Sequence, residues 1–174
     1  MYRPTLAIIC LSLSGFALAG CVSYYDAMSP SLATFRFSRG SMELGAKSNQ
    51  EYSAYKDASC TPQPGTGRLA YLLTYLSKQK EAQVAAGSPI YLLATTALYG
   101  AAPSDSYDVA FNLTRDSCSN LVRFVPLRNH QYRLMQEASG HACSLTIIDD
   151  ASNEPPPDLQ ELDARACSVA DPNS

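Results

Sequence analysis

The sequence predicts a mainly β protein, a small disulfide-linked antiparallel β-sandwich. The alternative is an α+β fold with a helix at about residues 68–86. Three observations carry this expectation. Short apolar runs alternate with polar positions at period two, between clusters of Gly, Pro, Asn and Ser. Four cysteines, Cys60, Cys118, Cys143 and Cys167, remain after residue 21, and an even number in an exported domain reads as a disulfide framework. Over residues 121–149 successive strands share one apolar face, which needs a second layer to cover it.

Composition sets the outer bounds. The chain has 174 residues, 46% hydrophobic and 17% charged, with a formal net charge of -3. That is too apolar for a disordered chain and lacks the Gly and Pro content of a collagen. It is also slightly acidic, which argues against an electrostatic nucleic-acid binder. The length suits one domain.

The first twenty residues read as a signal peptide outside the fold. Arg3 supplies the basic start, and residues 6–18 are an apolar run. The run is too short to cross a bilayer and suits the core of a secretory signal. It ends in Leu18-Ala19-Gly20-Cys21, which resembles the lipobox of bacterial lipoproteins. The resemblance implies that Cys21 is acylated on its thiol, becomes the new N-terminus and is acylated again on its amine. More than one acyl chain gives stable anchoring. Val22 follows Cys21; in that family the lack of Asp at this position implies the inner leaflet of the outer membrane, facing the periplasm. Residues 21–31 then form a tether. Its Tyr24 and Tyr25 suit either the lipid headgroups or the domain surface.

The sandwich domain is expected over 32–150. A first strand covers 32–37 and ends at Ser38-Arg39-Gly40-Ser41. A second surrounds Tyr52-Ser53-Ala54-Tyr55, and Pro62-Gln63-Pro64-Gly65-Thr66-Gly67 is a loop. Leu69, Leu72, Leu73 and Leu76 make a helical stripe, but Tyr71, Tyr75 and the β character around them favour strand, loop, strand over 68–86. Residues 89–99 read as a buried strand, 100–106 as a turn and 107–113 as a half-buried strand. Residues 121–149 read as a three-stranded meander. The tail, 151–174, opens with the stiff stretch Glu154-Pro155-Pro156-Pro157-Asp158. Residues 159–166 suit one or two helical turns, and Cys167 ties the tail back.

Four cysteines allow three pairings, and the sequence alone does not choose among them. The pairing expected is Cys118 with Cys143 and Cys60 with Cys167. First and third strands of a meander lie about 9.6 Å apart, against about 6.8 Å for disulfide Cα atoms. Cys118 therefore reaches Cys143 only from outside the first strand, for example where the chain crosses between sheets.

The run Cys118, Phe124-Val125-Pro126, Tyr132, Cys143 resembles small Gram-negative lipoproteins of uncharacterised function. The likeness covers about residues 90–148 and departs at Asn129, where those proteins often carry Gly. It implies a small β-sandwich and no activity.

Chemistry is sparse. The two histidines, His130 and His141, sit in or beside expected turns, and neither has zinc-finger spacing. Ser139, His141 and Asp149 assemble a triad only on paper, without a Gly-x-Ser-x-Gly elbow. Asp149-Asp150 reads as a solvated strand end. No catalytic residue, metal or cofactor is expected. Arg115, Arg123, Arg128 and Arg133 give the middle of the chain a basic bias, either a partner surface on an exposed sheet face or a device that keeps an edge soluble. The expectation is a non-enzymatic lipoprotein held to the membrane through Cys21. It binds or supports another envelope component, a protein or a glycan, and no nucleic acid. The alternative is an inhibitor of a periplasmic hydrolase such as lysozyme, or a hydrolase without a recognisable motif. The Ser-Gly-x-x-Tyr signature of lysozyme inhibitors is absent, since Ser139-Gly140 is followed by His141-Ala142-Cys143.

Overall fold

The structure is a computed structural model that describes residues 29–42, 47–73, 78–101, 113–139 and 142–167. The signal, Cys21, Tyr24, Tyr25, residues 107–112 and His141 lie outside them. Nine strands are described: β1 (Leu32–Met42), β2 (Lys47–Tyr55), β3 (Gly67–Leu73), β4 (Gln79–Ala85), β5 (Ile90–Ala101), β6 (Leu113–Phe124), β7 (Gln131–Ser139), β8 (Ala142–Asp149) and β9 (Gln160–Leu162). They form a four-stranded sheet in the order β4-β1-β7-β8 and a five-stranded sheet in the order β3-β2-β5-β6-β9. The fold is a small disulfide-linked β-sandwich. Residues 68–73 lie on β3 and residues 79–85 on β4, and the described part of 68–86 forms no helix.

Five expectations need correction. The strand pairs are not all antiparallel, because β1 and β7 pair in parallel. Such a pair cannot be joined by a hairpin, and here the chain passes through both sheets between them. Residues 121–149 are not a meander: β6 belongs to the five-stranded sheet, while β7 and β8 belong to the other. The turn after Phe124 carries the chain from one layer to the next. β1 does not stop at Ser38 but continues to Met42, with its β7 register shifting between Arg39 and Met42. Gly100 and Ala101 extend β5 rather than turn. Residues 160–162 form the edge strand β9, followed by a 3-10 turn at Ala164–Ala166 whose N-cap Asp163 accepts from the Arg165 N–H.

Alternation along each strand builds the core. Phe35 and Phe37 of β1, Tyr52 of β2, Phe124 of β6 and Tyr132 and Leu134 of β7 are fully or almost fully buried. Phe35 stacks on Phe124 at 5.6 Å and meets the edge of Tyr132 at 5.6 Å, and Phe37 lies 4.7 Å from Tyr52. Such pairs add about 0.5–1.5 kcal/mol each beyond burial.

A second, smaller core lies on the outer side of the five-stranded sheet. Leu121 of β6 is buried there with Cys60 and Cys167, and Tyr55, Tyr91, Leu93 and Leu162 pack around them. These residues alternate with inward-facing Leu92 and Val122, so they belong to the sheet's other face. The cover is the loop holding Cys60 and the chain end holding Cys167, joined by a disulfide with Cα atoms 4.9 Å apart. The described end of the chain, to Cys167, is thereby held against the sheet and forms part of the wall. Asp158 reinforces it by accepting the Val125 N–H at 2.9 Å.

Candidate functional site

The polar groups that converge in this protein lie first inside the sandwich. Inward positions run from apolar to polar along the strands: Tyr52 then Gln50 and Ser48 on β2, Ala94 then Thr96 on β5, Leu134 then Gln136 on β7. All of these are buried. Tyr52 and Gln50 converge on the Gln136 peptide. Its N–H donates to the Tyr52 hydroxyl (3.1 Å), and its carbonyl accepts from Gln50 Nε2 (2.6 Å). The cause lies next door, at the bulge in β1. Gly40 sits so close that a Cβ there would come within 2.2 Å of the Gln136 carbonyl oxygen. Both polar groups of this peptide are thus partnered from the facing sheet. The side chains close the network: Thr96 Oγ1 donates to Gln136 Oε1 (2.8 Å), while Gln136 Nε2 donates to the Ala94 carbonyl (3.0 Å) and to Asn120 Oδ1 (2.8 Å). Burial pushes the Tyr52 phenol up to about 12, more than the Gln136 N–H it accepts can offset. The layer is closed and internally satisfied at most atoms, so it fixes how the two sheets face each other rather than presenting a ligand site. Sequence reasoning missed it, although Gln50, Thr96 and Gln136 each fall at the inward parity of their strand.

A second constellation lies at the far end of β7. His130 Nδ1 is 2.7 Å from Asp149 Oδ2, and the Asp149 side chain is only 8% exposed. Asp149 Oδ1 accepts the Ala151 N–H, so one carboxylate both shapes the turn after β8 and orients the imidazole. The ring of Tyr132 stacks beside His130, and its hydroxyl accepts the Leu127 N–H at 2.9 Å. Burial raises the Tyr132 phenol, with the charges of Asp149 and Asp158 adding to the effect. Asn129 has φ 62, a left-handed conformation that Gly and Asn adopt most readily. Among the described residues no hydroxyl or thiol is hydrogen-bonded to the His130 ring. Ser139 pairs with Ala142 at the opposite end of β7 from Tyr132 and Asp149, about 23 Å away along the strand. The structure therefore does not bring Ser139 and Asp149 together.

No protein-family model matches the chain, and no curated protein matches it.

The four arginines do not form one surface. The crossing after Phe124 puts β6 and β7 in different sheets, so outward-facing Arg123 and Arg133 look away from each other. Arg128 projects from the exposed turn between them. Arg115 lies in β6, paired in register with Tyr99, and its side chain is outside the described residues. Arg133 is engaged by Asp150 and by Asn153 Oδ1 (2.8 Å), and neighbouring Arg36 by Glu81 (3.0 Å) and Asp150 (3.9 Å). The outer face of the four-stranded sheet is thus charge-balanced there. Asp150 is a strut of this ladder rather than merely a solvated strand end.

Cys118 and Cys143 are joined, with Cα atoms 5.7 Å apart. Cys118 does not stand outside its strand as expected; it lies within β6. The bridge is possible because β6 and β8 face each other from opposite sheets. Asn120 Nδ2 donates to the Cys143 carbonyl at 3.2 Å and so links this staple to the polar layer. Among the described residues no group of three or more His, Cys, Asp or Glu side chains is placed to hold a metal ion.

Proposed function

We propose that this is a lipid-anchored envelope protein whose sandwich binds or supports another envelope component without catalysing a reaction. One observation carries the reading: the ordered sequence of Arg3, the apolar run and Leu18-Ala19-Gly20-Cys21. Acylation of Cys21 would hold the domain at the membrane. Two disulfides, one between the sheets and one sealing the outer core, suit an oxidising compartment. The turn after β6 offers a partner contact, with Leu127 exposed to 47% beside exposed Arg128. The test is Cys21→Ser in a Gram-negative host, followed by membrane fractionation and mild cross-linking. The expected result is loss of membrane attachment for the variant, and one reproducible envelope partner cross-linked to the parent. A variant that matures normally and stays in the membrane overturns the anchor.

A further inference from the structure

The start of β1 is bonded to the turn that follows β6. The Asn129 N–H donates to the Leu32 carbonyl (2.8 Å) and the Thr34 N–H to the His130 carbonyl (2.9 Å). The turn after β4 joins them: the Ala86 N–H donates to the Ser31 carbonyl (2.9 Å) and the Gly87 N–H to the Pro126 carbonyl (2.8 Å). These segments form one cap at the end of the sandwich where the described chain begins. Within the cap the Leu127 N–H donates to the Tyr132 hydroxyl at 2.9 Å, and the Leu127 carbonyl accepts the His130 N–H at 3.2 Å. The backbone of the turn is therefore fixed, while Leu127 and Arg128 are exposed. Leu127 is the one large hydrophobic residue exposed among the described residues.

We propose that this turn docks on the lipid surface, with Leu127 at the boundary of headgroups and acyl chains and Arg128 against anionic headgroups. The proposal rests on the anchoring reading and names the membrane itself as what meets this end of the domain. Reach permits it. Cys21 lies eight residues before Ser29, so the two Cα atoms are within about 28 Å of each other whatever path the chain takes. Chemistry matches: an apolar side chain gains by leaving water for the acyl boundary, and a neighbouring cation is drawn to anionic lipid. Charge permits it as well. Asp149 is taken by His130 and Asp150 by Arg133, whereas Arg128 pairs with no carboxylate among the described residues. One Leu and one Arg would hold a free protein only weakly. A lipid on Cys21 raises their effective concentration at the surface, which is what turns so small a contact into an orientation.

The chain has no Trp, so Leu127→Trp supplies a single fluorescent reporter. A chain beginning at Cys21 has one thiol outside the two disulfides. Coupling that thiol to a maleimide lipid anchors the protein without cellular acylation. The vesicles are phosphatidylglycerol and phosphatidylcholine with brominated acyl chains. On tethering, the Leu127→Trp emission should shift to the blue and fall about twofold, because docking brings the ring within reach of the acyl chains. Ser139→Trp, at the opposite end of β7, controls for the preference of Trp for interfaces and should show neither change. Adding Arg128→Ala to Leu127→Trp should weaken docking about fivefold, the worth of one basic residue at an anionic surface. Emission unchanged by tethering overturns the proposal and leaves the turn to an envelope protein. Equal quenching of Ser139→Trp also overturns it, as does quenching that Arg128→Ala leaves unchanged. None of these results bears on acylation of Cys21, which fractionation of Cys21→Ser decides separately.

Discussion

Gly40→Ala tests the account of the polar layer most directly. The new Cβ would stand 2.2 Å from the Gln136 carbonyl oxygen, 2.7 Å from its carbon and 2.9 Å from Glu137 Cγ. Backbone cannot rotate aside as a side chain does, so β1 and β7 must separate by close to an ångström to reach ordinary contact. Overpacking of this kind costs about 1–3 kcal/mol. The same movement pulls the Gln136 peptide from Tyr52 and Gln50, and each buried group left unpaired costs about 1–3 kcal/mol. Against this stands a gain of about 0.4–1 kcal/mol from the smaller entropy of the unfolded chain. The balance is a loss of roughly 2–8 kcal/mol, a large share of the ~5–15 kcal/mol that holds a domain together. Urea unfolding followed by far-UV circular dichroism, with disulfides intact, reads it as a lower midpoint at unchanged slope. An unchanged or raised midpoint would refute the close approach of β1 to Gln136, and with it the reason given for the buried glutamines.

Two further outcomes follow from the same framework. Tyr52 is neutral in the folded protein up to about 12, whereas an unfolded phenol ionises near 10; stability is therefore complete below about pH 10 and declines as pH rises toward 12, by up to roughly 3 kcal/mol from this group. Tyr55 and Tyr132 shift the same way, and Tyr52→Phe should flatten the decline between pH 10 and 12 in an unfolding series even though it is less stable at neutral pH; an equally steep decline would show that another group governs it. For the disulfides, sequence separations of 107 and 25 give loop-closure contributions of about 4.8 and about 3.5 kcal/mol. Cys60→Ala/Cys167→Ala should then lower the urea midpoint more than Cys118→Ala/Cys143→Ala, and the reverse order would count against the loop-length account.

Much of the fold was legible because its signals are local. Alternation at Phe35 and Phe37, at Tyr132 and Leu134, and the breaks at Pro62 through Gly67 and at Pro126 through His130 each mark a strand or its end. What alternation does not carry is the choice of sheet. Residues 121–148 show the same period whether neighbouring strands pair edge to edge or lie in different sheets, and here β6 and β7 lie in different sheets. The arginines suffered from that ambiguity, since Arg123 and Arg133 share a surface only if their strands share a sheet. Gly40 looked like a turn because a glycine in a strand and a glycine in a turn read alike; its role is steric and set by Gln136, far away in sequence. The His130–Asp149 pair was illegible for the same reason. Its members come together only because the turn before β7 and the end of β8 lie at one end of the sandwich.

The two disulfides are nested: Cys118–Cys143 lies wholly inside the span closed by Cys60–Cys167. For a chain that crosses a membrane N-terminus first, Cys60 arrives while its partner is still the last cysteine to come. Cys118 is the next thiol to arrive, and oxidation in order of arrival joins those two and leaves Cys143 to Cys167. Reaching the native pattern then requires thiolate attack on a formed disulfide, or a Cys60 kept reduced until the chain end is delivered. If this chain is exported in that way, its maturation depends on disulfide isomerisation or on a Cys60 held reduced, and a cell able to oxidise thiols but to do neither would accumulate it in a covalently closed, non-native form.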